Sequence, residues 1–104
     1  MMYDIYLEKD GNRIAEISSY KAGKKDSGEF FVSIYKIYPS DYAVVQGLNI
    51  TELRDLWLIC DTSSRRIRYH IKGWLCDELG VTEENGAIMS LQSVCDIREE
   101  YIVN

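Results

Sequence analysis

The sequence is poor in residues that form cross-links, bind metals or transfer protons. Its 104 residues include three cysteines, one proline and one histidine. The cysteines are odd in number and none lies in a CxxC pair, so neither a disulfide framework nor a four-ligand zinc site is indicated. We therefore expect reduced thiols, as in the cytoplasm, and neither a metal nor a cofactor.

Long apolar runs are also missing. No stretch approaches the roughly 20 apolar residues that cross a bilayer, and the first residues lack the basic and apolar segments of a secretory signal. The formal net charge of −5 disfavours non-specific binding to nucleic acid or to anionic lipid. These absences predict a cytoplasmic protein with no membrane partner.

What is present is typical of one folded domain. Hydrophobic residues make up 46% of the chain and charged residues 28%, with eight tyrosines available as core or interface anchors. The length suits one hydrophobic core and is too short for two. We expect residues 1–104 to form a single domain.

The N-terminal half has the period of two that is typical of strands. Apolar and polar residues alternate over 3–8, and the Asp-Gly pair within 9–12 favours a tight hairpin turn. A return strand is predicted over 13–20, followed by an exposed loop rich in Gly and Lys over 21–28. The sequence thus predicts an N-terminal β-hairpin.

The next segment, 29–38, is the strongest strand in the pattern because aromatic and β-branched residues dominate it. Both of its faces carry apolar groups, which indicates either a covered central strand or a face used for binding. Phe31 and Tyr35 are the candidate contacts on that face. Residues 42–45 are predicted to form a fourth, short strand.

Beyond residue 48 the apolar spacing becomes helical. Asn49 and Glu52 match a capping box, which predicts a helix over about 50–61. A second helix is predicted from about 65 to 79, because its apolar face continues to Trp74 and Leu75. Segment 66–72 also alternates with period two, so a strand is the alternative there, and the tail 87–104 fits either structure.

Strands followed by helices favour an α+β fold over alternating α/β. We expect an antiparallel sheet of three to four strands in residues 2–47, with the C-terminal helices packed on one face.

Charge is segregated in the second half of the chain. Residues 62–76 contain four basic residues and no acid, whereas the segment that follows is acidic. On a helix, Arg65, Arg68 and Lys72 would form one stripe with Tyr69 beside it. Such a stripe fits three readings: a solvated face balanced within the chain, a contact with an acidic protein, or a nucleic-acid contact.

Catalytic patterns are not evident. His70 as a general base would need an orienting carboxylate, for which Asp77 is the nearest candidate, and a nucleophile. Adjacent acidic pairs such as Glu83–Glu84 point apart and make poor acid–base pairs. We expect a protein that is not an enzyme.

The functional hypothesis is a small acidic protein-binding module, of the inhibitor, anti-defence or immunity type found in phages and mobile elements. The alternative is a nucleic-acid-binding or regulatory domain that uses the basic segment. A protein partner is expected, nucleic acid is disfavoured, and a homodimer is compatible with the sequence. The candidate binding residues are Arg65, Arg66, Arg68, Tyr69, Lys72, Phe31 and Tyr35.

Overall fold

The computed structural model describes residues 3–24, 26–27, 30–71, 81–84, 87–91, 94–97 and 102–103. Side chains are described over 3–23, 26–27 and 31–71.

The first three strands form where the sequence predicts strands. They are β1 (Asp4–Lys9), β2 (Asn12–Lys24) and β3 (Phe30–Pro39), and each pairs antiparallel with the next. Because β2 continues through Lys24, the loop predicted over 21–28 is wrong at 21–24. The turn between β1 and β2 has positive φ at Asp10 (52°) and Gly11 (82°). An Asp-Gly pair accepts this backbone at low cost, which is why the hairpin is visible in the sequence.

The predicted fourth strand over 42–45 is wrong, because this segment forms the helix α1 (Asp41–Gln46). Ser40 is its N-cap, and the Ser40 Oγ accepts from the Ala43 backbone N–H at 3.1 Å. Gly47 ends the helix in the left-handed conformation with φ 66°. The local signals of a Ser cap and a Gly stop therefore outweigh the β propensity of Val44 and Val45.

The predicted helix over 50–61 is also wrong. Only Ile50–Glu52 is helical, as a 3-10 turn, and Asn49 makes no side-chain cap hydrogen bond to it. Asp55 has positive φ (56°), and strand β4 (Leu56–Asp61) follows. Leu58 and Cys60 face the core from one side of this strand, and pairing with β1 satisfies its backbone, which together favour the strand.

The predicted helix over 65–79 is replaced, where the structure describes it, by strand β5 (Arg66–Ile71). The period-two alternative is therefore the right one. Ile67 and Ile71 are buried in the core on one face, and Arg66 and Arg68 lie on the other. The end of the predicted helix, 72–79, lies outside the described residues.

The C-terminal segment contributes short strands. These are β6 (Val81–Glu84), β7 (Ala87–Leu91), β8 (Val94–Ile97) and β9 (Ile102–Val103). The sequence left helix and strand as alternatives for the tail over 87–104, and the described parts of that tail are strands.

The five longest strands form a central antiparallel sheet in the order β3-β2-β1-β4-β5. The short strands extend it, with β7 and β8 beside β3, β6 beside β7, and β9 beside β5. The expected α+β fold with C-terminal helices is therefore wrong: the protein is mostly β, and in the described residues no helix follows β5.

One face of the central sheet carries the core. Its side chains come from all five long strands, together with Ala43 of α1 and Ile50 of the 3-10 turn. Leu48 and Leu53 pack against this cluster from the connection between α1 and β4. The helical segment therefore covers the core face. The opposite face of β1, β4 and β5 carries charged and aromatic side chains, among them Glu8, Trp57 and Arg68.

Candidate binding surface

The face of the sheet opposite the core is charged and aromatic where β1, β4 and β5 run side by side. The register places Glu8 opposite Trp57, Trp57 opposite His70, and Ile59 opposite Arg68. Because alternate residues of a strand share a face, residues 66, 68 and 70 of β5 lie together. We call the side chains gathered here the cation–aromatic patch; its members are Tyr6, Glu8, Trp57, Arg66, Arg68 and His70.

Glu8 is the electrostatic centre of the patch. Arg66 Nη2 donates to Glu8 Oε2 at 2.9 Å, and Arg68 Nη2 lies 3.7 Å from Glu8 Oε1. The Glu8 side chain is 13% exposed, whereas each arginine side chain is 31% exposed. Two partly accessible guanidinium groups thus share one largely buried carboxylate, which leaves a single positive charge among these three groups.

The Trp57 ring contacts both Arg68 and His70. The Arg68 guanidinium carbon lies 4.1 Å from the Trp57 ring centroid, and the His70 ring stacks on Trp57 at 4.7 Å with 23° between the planes. His70 Nε2 is 3.9 Å from Asp55 Oδ1. Cation–π contacts of this kind contribute about 0.5–1 kcal/mol at exposed sites and more when water is excluded.

Hydrogen bonding to the arginines is incomplete within the described residues. Arg66 Nη2 also donates to the Tyr6 hydroxyl at 3.2 Å, but Nε of Arg66 and Nε of Arg68 are buried without a hydrogen-bond acceptor in the described part of the chain. Among the described residues, Arg66 is therefore positioned by Glu8 and the Tyr6 hydroxyl, and Arg68 by the Trp57 ring and the charge of Glu8. Each guanidinium carries five N–H donors, and the described residues supply acceptors for only part of them.

A second ionic cluster lies beside the patch on the same face. The Arg13 guanidinium carbon is 3.7 Å from the Tyr6 ring centroid, and the group pairs with Asp4 at 2.6 Å and Glu16 at 3.0 Å. Burial opposes the charge of Arg13, but its hydrogen bonds to the two carboxylates outweigh this and raise its pKa above the ordinary value. The face is thus polarised, with the cationic excess on the β5 side and the anionic excess on the β1–β2 side.

This arrangement suits recognition of an anionic group. Guanidinium planes match the geometry of carboxylates, and a partly exposed Trp beside them adds apolar contact. Charge-assisted hydrogen bonds of this type contribute about 1.5–3 kcal/mol each.

The structure separates the residues that the sequence placed in one stripe. Arg66 and Arg68 lie in the patch, but Arg65 is in the turn before β5, where its carbonyl accepts from the Thr62 backbone N–H. Tyr69 is on the opposite face, packed against the core. The helical stripe of Arg65, Arg68 and Lys72 is therefore wrong, and Lys72 lies outside the described residues.

The other two candidates lie on β3, away from the patch. Tyr35 is 52% exposed. Phe31 is half-buried and pairs in register with Gly23 of β2. Neither residue neighbours β4 or β5 in the sheet order.

Four members of the patch are not among the binding residues predicted from the sequence: Tyr6, Glu8, Trp57 and His70. Tyr6 and Glu8 alternate with the core residues of β1, a signal available in the sequence. Trp57 falls within the helix predicted over about 50–61, whereas a strand over 56–61 places it on the face opposite Leu56 and Leu58. β1 and β5 contribute to one patch because both flank β4 in the sheet, and local sequence patterns do not encode this strand order.

Comparison with known proteins gives no assignment, since no protein-family model, curated protein or solved structure matches the chain. Over the described residues, no helix has the length and apolar character needed to cross a bilayer. The described side chains likewise contain no group of three His, Cys, Asp or Glu residues arranged to hold a metal ion.

Proposed function

We propose that the protein is a small acidic protein-binding module whose cation–aromatic patch binds an acidic surface of a partner protein. The observation that supports this most is the sharing of Glu8 by Arg66 and Arg68, which leaves cationic charge on a sheet face. A partner carboxylate would complete the pairing that Glu8 begins. The proposal is one of binding and not of catalysis.

Acidic protein is favoured over nucleic acid by the number of cations available. Arg66 and Arg68 are partly neutralised by Glu8, and the whole chain carries −5. Each phosphate neutralised on duplex DNA contributes about 0.9 to the logarithmic salt slope, so two contacts would give weak binding. A protein surface can add apolar burial against Trp57, which withstands salt better.

The test begins with charge reversal of the patch. Arg66→Glu with Arg68→Glu and the wild type are immobilised, and proteins captured from the native host are compared by quantitative mass spectrometry. The candidate partner is then purified, and its Kd is measured at two salt concentrations. We expect the double variant to weaken binding at least tenfold, since two charge-assisted contacts are lost and two repulsions are added.

A control variant with the same net charge separates the patch from the charge of the whole chain. Lys21 and Lys36 are exposed on β2 and β3, and Lys21→Glu with Lys36→Glu changes the net charge by the same amount. This control should keep affinity near that of the wild type. Equal loss in both double variants would contradict the patch as the binding surface.

Nucleic acid is an explicit outcome of the same experiment. Random duplex and single-stranded DNA are titrated with all three forms near physiological salt. Micromolar or tighter binding that disappears only in Arg66→Glu with Arg68→Glu would overturn the protein-partner proposal and favour the alternative function.

The finer role and location remain predictions. An inhibitor, anti-defence or immunity-type role requires that the captured partner be an enzyme or toxin whose activity falls on binding, which an activity assay of the purified pair would test. We place this binding in the cytoplasm because the odd cysteine count favours reduced thiols. A second copy of the chain as the partner would appear as a concentration-dependent mass in sedimentation.

A further inference from the structure

A cavity of about 150 Å³ lies on the core side of the sheet beside the β1–β2 turn, and the side chains of the cation–aromatic patch are not part of its lining. Its apolar lining consists of Ile14, Tyr42, Leu48 and Leu53, contributed by β2, α1 and the connection to β4. Ile14 is buried and belongs to the core, while Tyr42 is 42% exposed. The cavity is thus anchored on the core and partly open to solvent.

The remaining lining is polar and comes from the β1–β2 turn. It consists of Lys9, Asp10 and Asn12. Lys9 Nζ donates to the Arg54 carbonyl at 2.7 Å, which ties the turn to the segment before β4. The charges of Lys9 and Asp10 cancel, so the lining favours a neutral ligand that carries a hydrogen-bonding group over an ion.

The volume limits what can enter. Drug-sized ligands and nucleotide cofactors occupy pockets of roughly 300–1,000 Å³, which is well above this cavity. An engineered apolar cavity of about 150 Å³ in another protein binds benzene. A single six-membered ring is therefore the size of group that fits.

We propose that this cavity is a binding site for one neutral aromatic ring with a polar substituent, of the size of phenol. The ring contacts Ile14, Leu48 and Leu53, and its hydroxyl bonds to the polar groups of the β1–β2 turn. The same chemistry can come from a free small molecule or from a tyrosine side chain of a polypeptide. This site is independent of the cation–aromatic patch and of the partner proposed for it.

The two sources differ in what else they cover. On α1, Val45 is 80% exposed and lies three residues after Tyr42, on the same side of the helix. A polypeptide that inserts a tyrosine would cover Val45, whereas a free phenol would not reach it. Val45→Ser therefore distinguishes the sources without altering the cavity lining.

The experiment is a titration of ¹⁵N-labelled protein with phenol, followed by amide chemical shifts. We expect saturable shifts at residues 9–12, 42, 48 and 53, with a Kd on the order of 1 mM for so small a ligand. Leu53→Phe, which fills the cavity, should weaken binding at least tenfold. Tyr42→Ala removes an exposed part of the lining and should weaken binding severalfold. This second variant keeps the test valid should Leu53→Phe not fold.

A second titration uses a capped Gly-Gly-Tyr-Gly-Gly peptide. Tighter binding of the peptide than of phenol, lost in Val45→Ser, would assign the site to a tyrosine of a partner. Binding of phenol alone, unchanged in that variant, would assign it to a free small molecule. The proposal would be overturned by shifts that do not saturate or that fall outside these residues. It would also be overturned if Leu53→Phe and Tyr42→Ala bound phenol as tightly as the wild type.

Discussion

Removing the Ser40 hydroxyl tests which local signal starts the helical segment. Ser40 is 4% exposed, and its Oγ accepts from the Ala43 backbone N–H at 3.1 Å and donates to the Arg13 carbonyl at 2.6 Å. Loss of an N-cap costs about 1 kcal/mol, and loss of a buried hydrogen bond costs about 1 kcal/mol more. We therefore expect Ser40→Ala to lower the free energy of unfolding by about 2 kcal/mol.

Asn49→Ala is the matched comparison, because Asn49 has the sequence signature of a cap without the geometry. Its side-chain oxygen accepts from the Thr51 hydroxyl at 2.8 Å in an exposed position and makes no cap hydrogen bond. Substitutions at such surface positions change stability by about 0.5 kcal/mol or less.

Urea unfolding, followed by circular dichroism and by tryptophan fluorescence, gives both values. For a domain of this size, a loss of about 2 kcal/mol also lowers Tm by on the order of 10 °C. The reasoning fails if Asn49→Ala costs as much as Ser40→Ala, since a helix starting at Asn49 would then be the better description.

Two other predictions concern the patch and the thiols. Glu8→Gln should destabilise the fold by about 1–2 kcal/mol, since it leaves the partly exposed guanidinium groups of Arg66 and Arg68 without a counter-charge. The same change is then made in an Arg66→Gln with Arg68→Gln background. A smaller loss of stability there would confirm the coupling, and an equal loss would contradict it. Thiol titration of the unfolded, unreduced protein should find all three cysteines reactive, and a titre of one would show a disulfide and count against the cytoplasmic location.

Local patterns predict the first half of this fold because its signals are local. The alternation over β1 and the Asp10-Gly11 turn specify a hairpin with no help from distant residues. The apolar and β-branched run of β3 is likewise unambiguous. Ser40 and Gly47 also carry a readable helix signal, which the short strand predicted over 42–45 overlooked.

The second half is decided by contacts far apart in sequence. Leu56 and Cys60 fit a helical face, but they fit one face of a strand equally well, and pairing of β4 with β1 and β5 selects the strand. A capping box contributes about 1 kcal/mol and cannot outweigh a row of sheet hydrogen bonds with buried side chains.

The patch was half predictable for the same reason. Arg66 and Arg68 stand out as an acid-free basic segment, and strand alternation alone would have joined them with His70. Glu8 and Trp57 could not be assigned to them without the strand order, because 58 residues separate Glu8 from Arg66.

The most direct test of the protein-binding proposal is an NMR map of the interface with the purified partner. The signals to follow are the Trp57 indole N–H and the Nε–H groups of Arg66 and Arg68, together with the amides of Lys21 and Lys36 as a reference on β2 and β3. Binding at the cation–aromatic patch predicts large shifts for the indole and arginine signals, small shifts for the two lysine amides, and weaker binding at higher salt. Unmoved Trp57 and arginine signals in a saturated complex would contradict the proposal.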